Sequence, residues 1–191
     1  MPIEIEDYYY EEQKMQIREF YSDGLYIEGI KAAVVTLSNL STASLREKYY
    51  VPFCKLLAMG YRKTGKTKLA LDVINKGISF VTTKLDNDSS AQWNSELATL
   101  YMNLGVIYEN TGNHIGAVDS YSRAMRIFEE NEDFNHLMMA FETILGTYVS
   151  FGRYIEANET ITKMKLLSSA HYVALDENLI HNYEQKLEEN K

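Results

Sequence analysis

At 191 residues the chain is long enough to bury a core and short for two independent domains; 46% hydrophobic and 24% charged residues exclude a disordered polymer. A formal net charge of −8, spread along the sequence, argues against a nucleic-acid partner. The single cysteine, Cys54, excludes an internal disulfide. No run of about 18 apolar residues exists to span a membrane, and the acidic amino terminus is unlike a secretory signal, so a cytoplasmic setting is expected.

The only prolines are Pro2 and Pro52, and turn residues fall singly between long periodic stretches, which predicts an all-α chain. The first unit, near residues 10–43, keeps Phe20 and Gly24, with Gly29 and Ala33 as small residues of a second helix. After the polar linker SNLSTAS comes a unit near 51–84, with Leu57, Ala58, Tyr61, Gly65, Ala70 and Ile74 in register and Gly77 where an alanine is usual.

Beyond LDNDSSAQ lies the clearest unit, 98–131. Tyr101, Leu104 and Tyr108 recur at the three- and four-residue spacing of one helix face, Gly112 marks a turn, and Tyr121, Ala124, Ile127 and Phe128 stripe a second helix. Gly105 and Ala117 lack bulk where the two backbones cross. The short connection NEDF leads to a last unit near 138–171, with Phe141, Ile144, Tyr148, Gly152, Ala157, Ile161 and Met164 at the equivalent places. The tail, about 172–189, reads as a capping helix with Val173, Leu179, Tyr183 and Leu187 near one face. Starts are spaced by 41, 47 and 40 residues. Tetratricopeptide repeats have about 34, so each helix should be about a turn longer or each connection wider.

Gly60-Tyr-Arg-Lys-Thr-Gly65-Lys66-Thr67 matches the phosphate-loop pattern letter for letter, which makes nucleotide binding a remote alternative. That loop needs a buried strand before it, whereas Phe53, Leu56, Leu57, Gly60 and Tyr61 have helical spacing and Gly65 coincides with the repeat turn. His114, His136, His171 and His181 show no metal-binding spacing, and Asp86-Asn87-Asp88 lacks the glycine and glutamate of a calcium loop. Cys54 lies on an apolar helix face and there is no G-x-S-x-G elbow. Neither catalytic residues, metal ligands nor a cofactor is predicted.

Stacked helix hairpins line a concave surface with their first helices, wide enough for an extended peptide or a helix. Flanking the packing stripes there are Arg18 (with Lys14 and Tyr21), then Lys55, Met59, Arg62 and Lys63, then Thr99, Met102, Asn103, Val106 and Asn110 (with Glu109), and finally Glu142 and Thr143 (with Gly146 and Ser150). The basic members suit a peptide carboxylate or acidic side chains, and an asparagine amide can hold peptide backbone by donating and accepting at once. Tyr8, Tyr9, Tyr10, Tyr49 and Tyr50 fall outside the stripes, as binding aromatics or end caps.

LYMNLGVIYENTGNHIGAVDSYSRAMRIFEE resembles the repeats of longer-helix tetratricopeptide proteins, among them bacterial Rap- and PlcR-type receptors for signalling peptides and kinesin light chains. The resemblance runs from about Val51 to Met164 and implies a right-handed α-solenoid of about four hairpins plus a capping helix. It implies a protein- or peptide-binding module, such as the sensor region of a peptide-responsive regulator. In those families an asparagine before the Leu-Gly pair often touches peptide backbone, and Asn103 holds that place. Neither a DNA-reading helix-turn-helix nor a three-helix effector bundle accompanies the repeats here. The alternative is a structural scaffold, with homodimers formed through terminal repeats.

Overall fold

The computed structural model describes residues 3–88 and 90–189, and among them there are only helices, turns and loops. The helices are α1 (Ile3–Ser22), α2 (Tyr26–Ser38), α3 (Ala43–Lys63), α4 (Thr67–Leu85), α5 (Ala91–Asn110), α6 (His114–Glu130), α7 (Phe134–Ser150), α8 (Tyr154–His171) and α9 (Glu177–Glu188). The chain divides into two compact units, Met1–Ile107 and Tyr108–Lys191, so α5 passes from the first into the second.

One local device closes every hairpin. Gly24, Gly65, Gly112 and Gly152 sit at φ between +69° and +76°, the left-handed region where a side chain costs energy. The residue after each glycine donates its N–H back to the last turn of the preceding helix: Leu25 to Phe20 O at 2.7 Å, Lys66 to Tyr61 O at 2.8 Å, Asn113 to Tyr108 O at 2.9 Å and Arg153 to Tyr148 O at 2.8 Å. The same bond, Asp133 N to Phe128 O at 2.8 Å, joins α6 to α7, with Glu132 at φ 54° in place of the glycine.

In the first unit consecutive helices α1 to α4 pack on one another and α3 also touches α1. Three helices begin well before the repeat template does: α1 at Ile3 rather than near Tyr10, α3 at Ala43 rather than Val51, and α5 at Ala91 rather than Ala98. Thr42 caps α3 by accepting from Leu45 N at 3.2 Å, and Pro52 is carried inside the helix at the cost of one backbone bond. The added turns make the core. Tyr10 and Tyr49, which the template leaves aside, are 5% and 1% exposed, lie 5.1 Å apart and pack with Phe53, Ile17 and Leu45. Tyr10 Oη donates to Asn39 O at 3.0 Å. Tyr8 and Tyr9 are exposed.

The phosphate-loop match resolves into the end of α3, a turn and the start of α4; Gly60 is helical and buried. Its lack of a side chain accommodates Tyr21, whose Oη would stand 2.4 Å from a Cβ there. Gly77 similarly receives Leu100 of α5, at 3.1 Å from its would-be Cβ. Cys54 is buried, and burial pushes its thiol up to about 12.

In the second unit α7 packs against both α6 and α8, and Met138, Leu145, Ala157, Ile161, Met164, Ile180 and Leu187 form the core. The tail departs from a single helix over 172–189. Helix α8 continues to His171, Tyr172 turns left-handed at φ 56°, and α9 starts at Glu177, where Asp176 Oδ1 accepts from Leu179 N at 3.0 Å. His136 lies with Nδ1 2.7 Å from Oδ2 of Asp133, the cap of α7. No helix among the described residues is long and apolar enough to cross a membrane, and no three metal-binding side chains cluster among them.

Candidate partner-binding groove

Within the first unit, α1, α3 and α5 together shape a shallow groove of about 260 Å³. It is lined by Lys14 and Arg18 of α1, by Pro52, Lys55, Leu56 and Met59 of α3, and by Asn103 of α5. Residues separated by as many as 89 positions, from Lys14 to Asn103, thus meet. Leu56 is buried and Pro52 and Met59 are half-buried, giving an apolar floor beneath polar walls.

The walls are organised by hydrogen bonds that start from Thr99. Its hydroxyl donates to Glu96 O at 2.9 Å and accepts from Lys55 Nζ at 3.3 Å, while its carbonyl accepts from Asn103 Nδ2 at 2.8 Å. Lys55 Nζ also lies 2.8 Å from Glu96 Oε2, with both side chains about three-quarters covered. Thr99 is therefore a positioning residue that aims Lys55 and Asn103, and Asn103 Oδ1 has no donor among the described residues. Lys14 pairs with Glu11 at 2.5 Å, whereas Arg18 makes no ion pair among the described residues. A guanidinium held beside an apolar floor and an amide acceptor can take a carboxylate bidentately while the floor takes a side chain and Asn103 a backbone N–H.

Arg18, Lys55, Met59 and Asn103 of the predicted set meet here. Met102 and Val106 are half-buried on α5 outside the lining, and Arg62 and Lys63 occupy the last turn of α3, where cations complement the helix dipole. In the second unit Asn110 is exposed at the end of α5. Thr143 Oγ1 donates to Met139 O of its own helix at 2.9 Å. Glu142 is half-buried and its carboxyl is pushed up, first by burial and then by the neighbouring Asp176 charge. Tyr183 of α9 lies over Gly146, its Oη 3.0 Å from a would-be Cβ, so α9 approaches this stretch of α7. Pro52 and Leu56 are the lining residues the sequence did not single out as partner-binding. The stripe Leu45, Tyr49, Phe53, Leu56 places Leu56 at a helix face but not at a groove, and Pro52 falls outside it.

Neither a family model nor a curated protein sequence matches the chain. Among solved structures it is similar to a kinesin light chain from Podospora anserina described as having nearly identical TPR-like repeats, with 14% sequence identity and a TM-score of 0.63. The match covers 94% of this chain and 84% of that one. At that identity the likeness concerns the fold, an all-α tetratricopeptide-like repeat solenoid. Architectures of this kind present extended binding surfaces.

Proposed function

We propose that the chain is a protein- or peptide-binding module whose groove on α1, α3 and α5 holds an extended peptide or a partner helix bearing a carboxylate. The observation that carries this reading is the convergence of Arg18, Lys55, Met59 and Asn103 from three helices onto one groove. The first unit is nearly neutral, with 12 lysines and arginines against 13 carboxylate side chains, so an acidic ligand meets little repulsion there. A cytoplasmic sensor of signalling peptides is the specific role that the place of Asn103 before Leu104-Gly105 favours.

A panel of short acidic and neutral peptides, read by thermal stability, tests this. A ligand at a hundred times its dissociation constant adds roughly 2.7 kcal/mol. Arg18→Glu and Asn103→Ala should each abolish the shift given by an acidic peptide. Arg18 is exposed, so its loss should change intrinsic stability by less than about 0.5 kcal/mol; Asn103→Ala should cost about 1 kcal/mol, one helix-surface hydrogen bond. Peptides that bind both variants as well as the native chain would place the partner elsewhere.

A further inference from the structure

We propose that the slot between α8 and α9, in the second unit, is a separate docking site that takes a basic amphipathic helix of a partner protein. The start of α8 and the end of α9 run side by side and enclose about 630 Å³. Tyr154, Ile155 and Leu187 form its apolar part, and Ile155 is 76% exposed, unusual for a branched aliphatic chain. Glu159, Glu184 and Glu188 stand around them. Lys165 pairs with Glu184 at 2.8 Å, while Glu159 and Glu188 have no ion-pair partner among the described residues.

Packing explains why the slot is open. Helix α7 is flanked closely by α6 and α8, but α9 approaches α8 only sparsely, leaving a seat between two antiparallel helices. Such a seat is what the ridges of a third helix fill. Charge then selects the occupant. The second unit carries 14 carboxylate side chains against 7 lysines and arginines, a net −7, and the slot adds its own three glutamates to that field. Two copies facing each other through this slot would bring like charges together, which disfavours a two-fold dimer here. A helix with leucine-type anchors flanked by lysine or arginine matches both the floor and the rim.

The test uses the full chain and two synthetic probes followed by fluorescence anisotropy: an amphipathic lysine–leucine helix and its glutamate–leucine counterpart. The lysine–leucine helix should bind saturably and the counterpart should not. The double variant Ile155→Ser/Glu188→Gln alters exposed side chains and should weaken binding about tenfold or more, the scale of a lost anchor, with an unchanged thermal melt. Glu12→Gln/Glu28→Gln, a twofold larger loss of acidic charge on α1 and α2, should leave binding as it was, as should Arg18→Glu. Equal affinity in the Ile155→Ser/Glu188→Gln variant, binding of the glutamate–leucine helix, or loss of binding with Arg18→Glu would overturn the proposal. So would concentration-dependent dimers in sedimentation that the slot variant abolishes, since a second copy would then be the occupant.

Discussion

Gly60→Ala sets two well-characterised effects against each other. Gly60 lies inside α3, so helix propensity alone favours alanine by about 1 kcal/mol. The added Cβ, however, would stand 2.4 Å from Tyr21 Oη and 2.7 Å from Ile30 Cγ1. The ring cannot retreat towards α2, because a Cβ on Gly29 would already meet Tyr21 Cε1 at 2.3 Å: the tyrosine lies flush against both glycine backbones. Overpacking of that kind costs about 1–3 kcal/mol. Net, Gly60→Ala should destabilise the chain by up to roughly 2 kcal/mol.

Tyr21 supplies the internal control. Its hydroxyl is buried without a hydrogen-bond partner among the described residues, and burial raises its pKa to about 12. An unpaired buried hydroxyl costs about 1–3 kcal/mol, so Tyr21→Phe should be neutral or stabilising by up to that amount. It also removes the atom closest to the new Cβ, and Gly60→Ala should therefore cost at least about 0.5 kcal/mol less in the Tyr21→Phe background than in the native one. Urea unfolding followed by far-UV circular dichroism gives all four corners of this cycle. A rise in midpoint for Gly60→Ala, or additive effects of the two changes, would refute the reasoning.

Three further changes follow from local geometry. Glu132→Gly relieves the left-handed conformation between α6 and α7 and should raise unfolding stability by about 1 kcal/mol in the same urea assay. Glu142 has its pKa raised in the fold, so the native state holds its proton more tightly than the unfolded chain does. The resulting penalty is absent below the ordinary carboxylate value of about 4.3 and complete above the raised one; Glu142→Gln should thus leave acid stability alone and add stability progressively as pH rises towards neutrality, measured by melts across that range. Cys54, buried and with its thiol raised to about 12, should react with a chromogenic disulfide only as fast as the chain opens, so its labelling rate in urea should follow unfolding and not thiolate concentration.

The paired-helix pattern was legible because each hairpin is punctuated by a residue that has few substitutes. Gly65, Gly112 and Gly152 end their helices in a conformation other residues resist, and the apolar stripes beside them have only one period. Where the chain uses a less restricted device, the reading lost definition. The early starts of α3 and α5 depend on Leu45, Tyr49 and Trp93 being buried, and a template aligned on later turns passes over them although the 3.6-residue period continues. The break at Tyr172 turns on a non-glycine residue adopting a left-handed backbone, with Asp176 restarting the helix, so an unbroken apolar pattern concealed it.

The groove was harder to read for a different reason. Exposure on a first helix follows from periodicity, but which exposed residues of α1, α3 and α5 converge depends on how the helices cross. Lys55 and Arg62 look equivalent along α3, being basic, seven residues apart and so nearly two turns along one face. Tertiary placement separates them. Lys55 falls opposite Glu96 and Thr99 and is drawn into the groove, while Arg62 reaches the helix end, where the carbonyl dipole accounts for a cation. Arg18 is the converse case, a residue from the most degenerate repeat that gains significance only because Lys55, Met59 and Asn103 arrive beside it. Spacing along a helix can nominate such side chains; the crossing of three helices decides which of them share a ligand.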